Sequence, residues 1–212
     1  MFDRLPALLV LTDRVQAEAA HHELTAIVTE LSGSSEVAVV FREKDLVADE
    51  RALLGRRVAH AARAAGVGLL VASDSALADE LEADGVHLAS DDDLTLRPGL
   101  VGRSCHTSSD LVRAAAQGAT YATVSPVFET ASKPGYGPAL GLAGLSELAR
   151  AVDVPVYALG GVTADRVTRC VEAGAFGVAV MGAVMTADEP RAVVDALVDA
   201  VLGSRALRGE TR

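Results

Sequence analysis

Short runs of β-branched and apolar residues alternate with longer, alanine-rich amphipathic runs along the whole 212-residue chain. The apolar runs predict strands at Ala7–Thr12, Glu36–Arg42, Val67–Ala72, Gly85–Leu88, Val101–Ser104, Tyr121–Val124, Val154–Leu159 and Gly177–Met181. They stay apolar without polar alternation, the pattern of strands buried on both faces. The amphipathic runs predict helices at Gln16–Leu31, Ala48–Ala65, Ser75–Ala83, Ser109–Gln117, Ala143–Ala151, Ala164–Ala173 and Pro190–Leu202. The connection through Asp91–Leu96 is too short and acidic to assign. Glycine-bearing segments such as Ala65-Gly-Val-Gly68 and Gln117-Gly-Ala-Thr120 stand before strands, where a glycine can close the preceding helix in the left-handed conformation. Strict β/α alternation predicts a single closed (β/α)8 TIM barrel. The barrel spans residues 1–203, with a polar tail over 204–212. A doubly wound open sheet is the competing arrangement, because alternation alone does not separate the two.

Composition narrows the chemistry. With 50% hydrophobic residues, no Trp and 3% aromatics, the core must be built from Ala, Val and Leu. The net charge of −10 argues against nucleic acid, whose phosphates need a basic face. Cys105 and Cys170 lie far apart with no CxxC spacing, which fits a reducing cytoplasm and no zinc site or disulfide framework. The first residues lack a signal peptide's basic and apolar regions, and no run approaches the ~20 apolar residues of a membrane span. The reading is of a cytoplasmic protein with no membrane partner.

In a (β/α)8 barrel the chemistry gathers where strands end and βα loops begin. Strand 2 ends in Arg42-Glu-Lys44, two cations one residue apart, and strand 5 in Ser104-Cys-His106-Thr107. Strand 6 feeds a long loop containing Thr130, Ser132 and Lys133, interrupted by Pro134, Gly135 and Gly137. Hydroxyls and a lysine on such a loop suit an anionic ligand. Gly160-Gly161 after strand 7, and Met181-Gly182 after strand 8, predict a cup of backbone amides of the kind that holds phosphate. Asp91–Asp93 reads equally as a helix N-terminal turn or as metal ligands, since Mg²⁺ takes one or two carboxylates plus phosphate oxygens. His87, inside strand 4, reads as a packed core residue, and His21, His22 and His60 as solvent-facing helix residues. Two anion zones in one mouth predict two phosphorylated ligands.

Six motifs in collinear order carry a family resemblance: Leu11-Thr-Asp-Arg14, Phe41-Arg-Glu-Lys44, Ala83-Asp-Gly-Val-His-Leu88, Gly102-Arg-Ser-Cys-His-Thr107, Ser125-Pro-Val-Phe-Glu-Thr-Ala-Ser-Lys-Pro-Gly135 and Ala158-Leu-Gly-Gly-Val162. The chain resembles the thiamine phosphate synthase and thiazole tautomerase superfamily. The synthase branch implies joining of an aminopyrimidine diphosphate to a thiazole phosphate with loss of diphosphate, by a dissociative route. It implies that Arg42, Lys44, Thr130, Ser132 and Lys133 hold the diphosphate. Ser104 and His106 would line the pyrimidine side, and Gly160, Gly161 and Gly182 would hold the thiazole phosphate. It also implies Mg²⁺, with Asp92 as one ligand. The family's Asn-Asp at the end of strand 3 reads Ala72-Ser73 here, which leaves Asp74 as the candidate second ligand. The family's Gln two residues before the strand 2 arginine is Val40. The tautomerase branch needs neither diphosphate nor Mg²⁺, but its histidine at the end of strand 6 corresponds to Pro126. A non-catalytic barrel that binds a thiamine precursor is the third reading. The expected partners are small phosphorylated substrates, with a homodimer the one protein assembly considered.

Overall fold

A computed structural model of the chain describes residues 5–33, 35–93, 98–130 and 138–209. Eight strands pair in parallel: β1 (Leu8–Leu11), β2 (Val37–Phe41), β3 (Gly68–Ala72), β4 (Gly85–Leu88), β5 (Leu100–Cys105), β6 (Tyr121–Val124), β7 (Val156–Leu159) and β8 (Gly177–Val180). Each lies beside its sequence neighbour, and β8 returns to β1 with Leu8 opposite Val178, so the sheet is a closed barrel. The open-sheet alternative is excluded by that pairing.

The helices are α1 (Arg14–Ala19), α2 (Leu24–Glu30), α3 (Ala48–Ala65), α4 (Ser75–Glu80), α5 (Ser108–Ala116), α6 (Gly141–Arg150), α7 (Ala164–Glu172), α8 (Gly182–Met185) and α9 (Pro190–Leu207). Among them no helix is long and apolar enough to cross a membrane, for the described residues. Most element ends lie within about three residues of the pattern, and three features depart from it further. The run expected as one helix over Gln16–Leu31 breaks between α1 and α2, where His21 takes a left-handed φ of 63°. A one-turn α8 precedes the last helix. That last helix runs to Leu207, so the polar run beginning at residue 204 starts as helix. There Ser204 bonds Thr168 Oγ1 at 3.1 Å and Arg205 stacks on the Phe176 ring at 4.2 Å.

Alternate strand residues serve two cores, which explains the missing polar alternation. Leu8, Val10, Val37, Val39 and Val71 pack outward against the helices. Leu9, Leu11, Ala38, Val40, Leu70 and Ala179 fill the barrel interior. Those inward side chains are aliphatic, and two tyrosines complete the filling: Tyr121 and Tyr157 are fully buried and meet edge to face at 5.3 Å. The expectation of a core made only of Ala, Val and Leu is corrected on this point. Gly102 is what admits Tyr121, since a Cβ there would lie 2.1 Å from its Cζ. At the other end of the plug the Tyr157 hydroxyl donates to Pro6 O at 2.5 Å.

Candidate active site

The barrel opens at the carboxyl ends of its strands into a cavity of about 560 Å³. Its lining joins Arg42, Lys44, Ser104, His106, Thr130, Gly160, Gly161, Met181 and Gly182, residues drawn from across the chain. Ser132 and Lys133 lie outside the described residues. His87, Asp91, Ser125, Glu129 and Arg166 also line the cavity.

The first wall is cationic and rises from β2. The Arg42 amide donates to Thr12 Oγ1 at 2.9 Å, tying the ends of β1 and β2 together. Glu43 and Asp45 alternate with the two cations but are engaged by Arg14, at 3.3 and 2.7 Å. Arg42 and Lys44 are therefore the charges this loop shows to the cavity. Lys44 Nζ donates to Ser73 Oγ at 2.7 Å. Burial lowers the Lys44 pKa and the nearby Arg42 and Arg51 lower it further, while Asp92 and Asp91 oppose them.

The floor is a hydrogen-bonded chain. His87 Nδ1 lies 2.9 Å from the Tyr121 hydroxyl, and its Nε2 lies 2.9 Å from Ser104 Oγ. Burial, then the positive charge of Lys44, pushes the His87 ring down to about 4, so it is neutral at pH 7. A neutral imidazole presents one donor and one acceptor, which fits a bridge between two hydroxyls. His87 is thus a site residue as well as a core residue. All four residues of β4 are buried, so the sequence pattern did not set His87 apart from the core. On the adjacent strand end, His106 Nδ1 lies 2.8 Å from the Ser125 carbonyl, which only an N–H can satisfy. In its neutral form Nε2 then carries the lone pair.

The opposite wall is built from backbone. Gly160 and Gly161 have φ of 97° and 64°, in the left-handed region that favours glycine. A Cβ on Gly161 would stand 2.5 Å from Glu129 O and 2.8 Å from Phe128 Cβ. The β6 loop packs on this turn: Val127 N donates to Leu159 O at 2.9 Å and Phe128 N to Gly160 O at 3.0 Å. Arg166 braces this turn, donating to Gly161 O at 2.7 Å and stacking on Phe128 at 4.8 Å. Beside it, the first amides of α8, those of Gly182 and Ala183, have no intrahelical acceptor.

A family model described as thiamine monophosphate synthase matches residues 8–184. The chain belongs to the thiamine monophosphate synthase family. It is 41% identical over 197 residues to the thiamine-phosphate synthase of Roseiflexus castenholzii, covering 90% of this chain and 86% of that one. Against the thiamine-phosphate synthase of Haloarcula marismortui the identity is 39%, over 82% and 88% of the two chains. The solved thiamine phosphate pyrophosphorylase of Pyrococcus furiosus superposes with a TM-score of 0.79 at 25% identity, covering 96% and 98%.

Membership in this family makes the two candidate metal ligands a point to test against the geometry. The Asp74 carboxylate caps α4 through Leu77 N at 2.9 Å and pairs with Arg51 at 2.9 Å, and it does not line the cavity. Asp92 accepts from Ala89 N at 2.7 Å and from the Ser73 hydroxyl, which itself receives Lys44. The structure therefore does not bring Asp74 and Asp92 together as a carboxylate pair. Among the described residues no group of three or more His, Cys, Asp or Glu side chains is arranged to hold a metal ion. An ammonium and a hydroxyl stand where a hard cation would need anionic oxygens, and the donor set does not fit a resident Mg²⁺.

Proposed function

We propose that this protein is a thiamine-phosphate synthase that joins an aminopyrimidine diphosphate to a thiazole phosphate and releases diphosphate. The observation that carries the reading is one cavity with a cationic wall at Arg42 and Lys44 facing a wall of glycine amides. Such a cavity suits two anions held at a fixed separation, with an uncharged floor between them. The thiamine-phosphate synthases that the chain resembles supply the reaction class.

In this reading the bond between the pyrimidine methylene carbon and the diphosphate oxygen breaks, and the electron pair leaves with diphosphate. The thiazole ring nitrogen then gives its lone pair to the methylene carbon, forming the new C–N bond. No proton has to move in either step. Catalysis consists of stabilising the departing charge and aligning the nucleophile, both of which a preorganised wall performs. Arg42 and Lys44 take the diphosphate, assisted by Thr130 and, from outside the described residues, Ser132 and Lys133. Ser104, oriented by neutral His87, and His106 face the pyrimidine. The Gly160–Gly161 turn and the first amides of α8 take the thiazole phosphate. No step is routed through a metal ion. A cytoplasmic setting is supported by Cys105 and Cys170, both buried and unpaired.

The test is to incubate purified protein with both substrates, following thiamine phosphate by fluorescence after oxidation and diphosphate in parallel. Equimolar products are expected, with kcat/KM lowered about 100-fold or more in Arg42→Ala, the usual scale for loss of one preorganised charge-stabilising donor. A folded wild-type protein that forms no product would defeat the reading.

A further inference from the structure

The ends of β2, β3 and β4 each contribute one side chain to a single hydrogen-bonded line. Lys44 Nζ donates to Ser73 Oγ at 2.7 Å. Ser73 in turn bonds the Asp92 carboxylate, and Asp92 Oδ2 also accepts from Ala89 N at 2.7 Å. A serine hydroxyl has one proton and two lone pairs. With an ammonium donating to it, its own proton is the one that reaches Asp92, so the line runs Lys44 to Ser73 to Asp92. Ser73 sits at a left-handed φ of 55°, unusual for a non-glycine residue. Arg103, almost fully buried, holds the other side of the Asp92 turn by donating to Ala89 O at 2.6 Å and Asp92 O at 2.5 Å. The lysine is thereby seated, with its positive charge on the cavity wall next to Arg42.

We propose that Lys44, seated by Ser73 and Asp92, is the built-in cation of the diphosphate-binding wall and takes the place of a divalent metal ion in this protein. The ligand class is inorganic or organic diphosphate, bound with no metal partner. A carboxylate at position 73 would draw a cation into the gap between β3 and β4. The serine offers no charge, and its hydroxyl is already committed in both directions. Asp74, the next acid along, is held away by its cap and by Arg51. The inference rests on the diphosphate wall assigned under Proposed function, and the experiment separates the two.

Isothermal titration of the full chain with inorganic diphosphate is run once in excess EDTA and once in millimolar Mg²⁺. Dissociation constants within about threefold of each other are expected, and Lys44→Ala should weaken binding at least tenfold in EDTA. A second variant, Ser73→Asp, should behave oppositely: weakened at least tenfold in EDTA, and restored by Mg²⁺. Thermal melts of both variants check that they fold. Wild-type binding that needs Mg²⁺ overturns the built-in cation and leaves the synthase reading standing. Absence of diphosphate binding in both buffers removes the diphosphate wall itself, and this inference with it. Equal binding by Lys44→Ala and wild type in EDTA also overturns it.

Discussion

Replacing His87 by glutamine removes a titrating ring and keeps an amide able to accept from one hydroxyl and donate to another. In the folded protein the ring is pushed down to about 4, first by burial, then by the positive charges of Lys44, Arg42 and Arg103, with Asp92 opposing them. In the unfolded chain it titrates near 6.5. Between those values the unfolded chain holds a proton that the native protein does not. Stability therefore falls as pH is lowered through that window and is recovered as pH rises. The whole gap is worth about 3.4 kcal/mol, of which about 2 kcal/mol is lost by pH 5 and almost none at pH 7.5. The assay is urea unfolding of wild type and His87→Gln at both pH values. Wild type should lose about 2 kcal/mol more than the variant over that interval. Comparing the two proteins cancels every contribution that they share. Equal losses, within about 0.5 kcal/mol, would show that the barrel does not hold His87 neutral, and the account of the cavity floor would fail.

Three further outcomes follow from the same geometry. Gly161→Ala forces a Cβ to 2.5 Å from Glu129 O at a φ of 64°, so it should cost about 1–2 kcal/mol for the left-handed backbone alone. Its KM for thiazole phosphate should rise more than tenfold while diphosphate affinity by calorimetry stays within twofold. Arg103→Met strips the donors from the carbonyls of Ala89 and Asp92; a loss of about 2–4 kcal/mol in urea unfolding is expected, with faster amide exchange through residues 89–92. Tyr157→Phe leaves Pro6 O without its buried donor and should cost about 1–2 kcal/mol while leaving kcat/KM unchanged, because the hydroxyl lies at the opposite end of the barrel from the cavity.

What was legible in the chain, and what was not, divides along a physical line. The barrel could be read because a parallel strand buried on both faces has to be apolar throughout, and eight such runs repeat between amphipathic ones. The convergence of Arg42, Lys44, Gly160, Gly161 and Gly182 on one mouth could be read because strand ends are fixed by that same pattern. The break between α1 and α2 was hidden by an alanine-rich run whose pattern continues through His21. His87 was hidden by its burial: at the last turns of a barrel strand an inward residue is both core and cavity floor, and periodicity treats the two alike. Asp74 shows the reverse error. An acid directly before a helical run is first of all an N-cap, and the structure uses it so, with Arg51 taking the other oxygen. Once Asp74 is spent as a cap, Ser73 is the residue of this pair that faces Lys44, and a hydroxyl between an ammonium and a carboxylate transmits charge without adding any. In the proposed diphosphate wall, the electrostatics then depend on a lysine and not on a pair of acids. That one-residue distinction is what makes the chain's departure from its family's strand 3 motif a matter of mechanism.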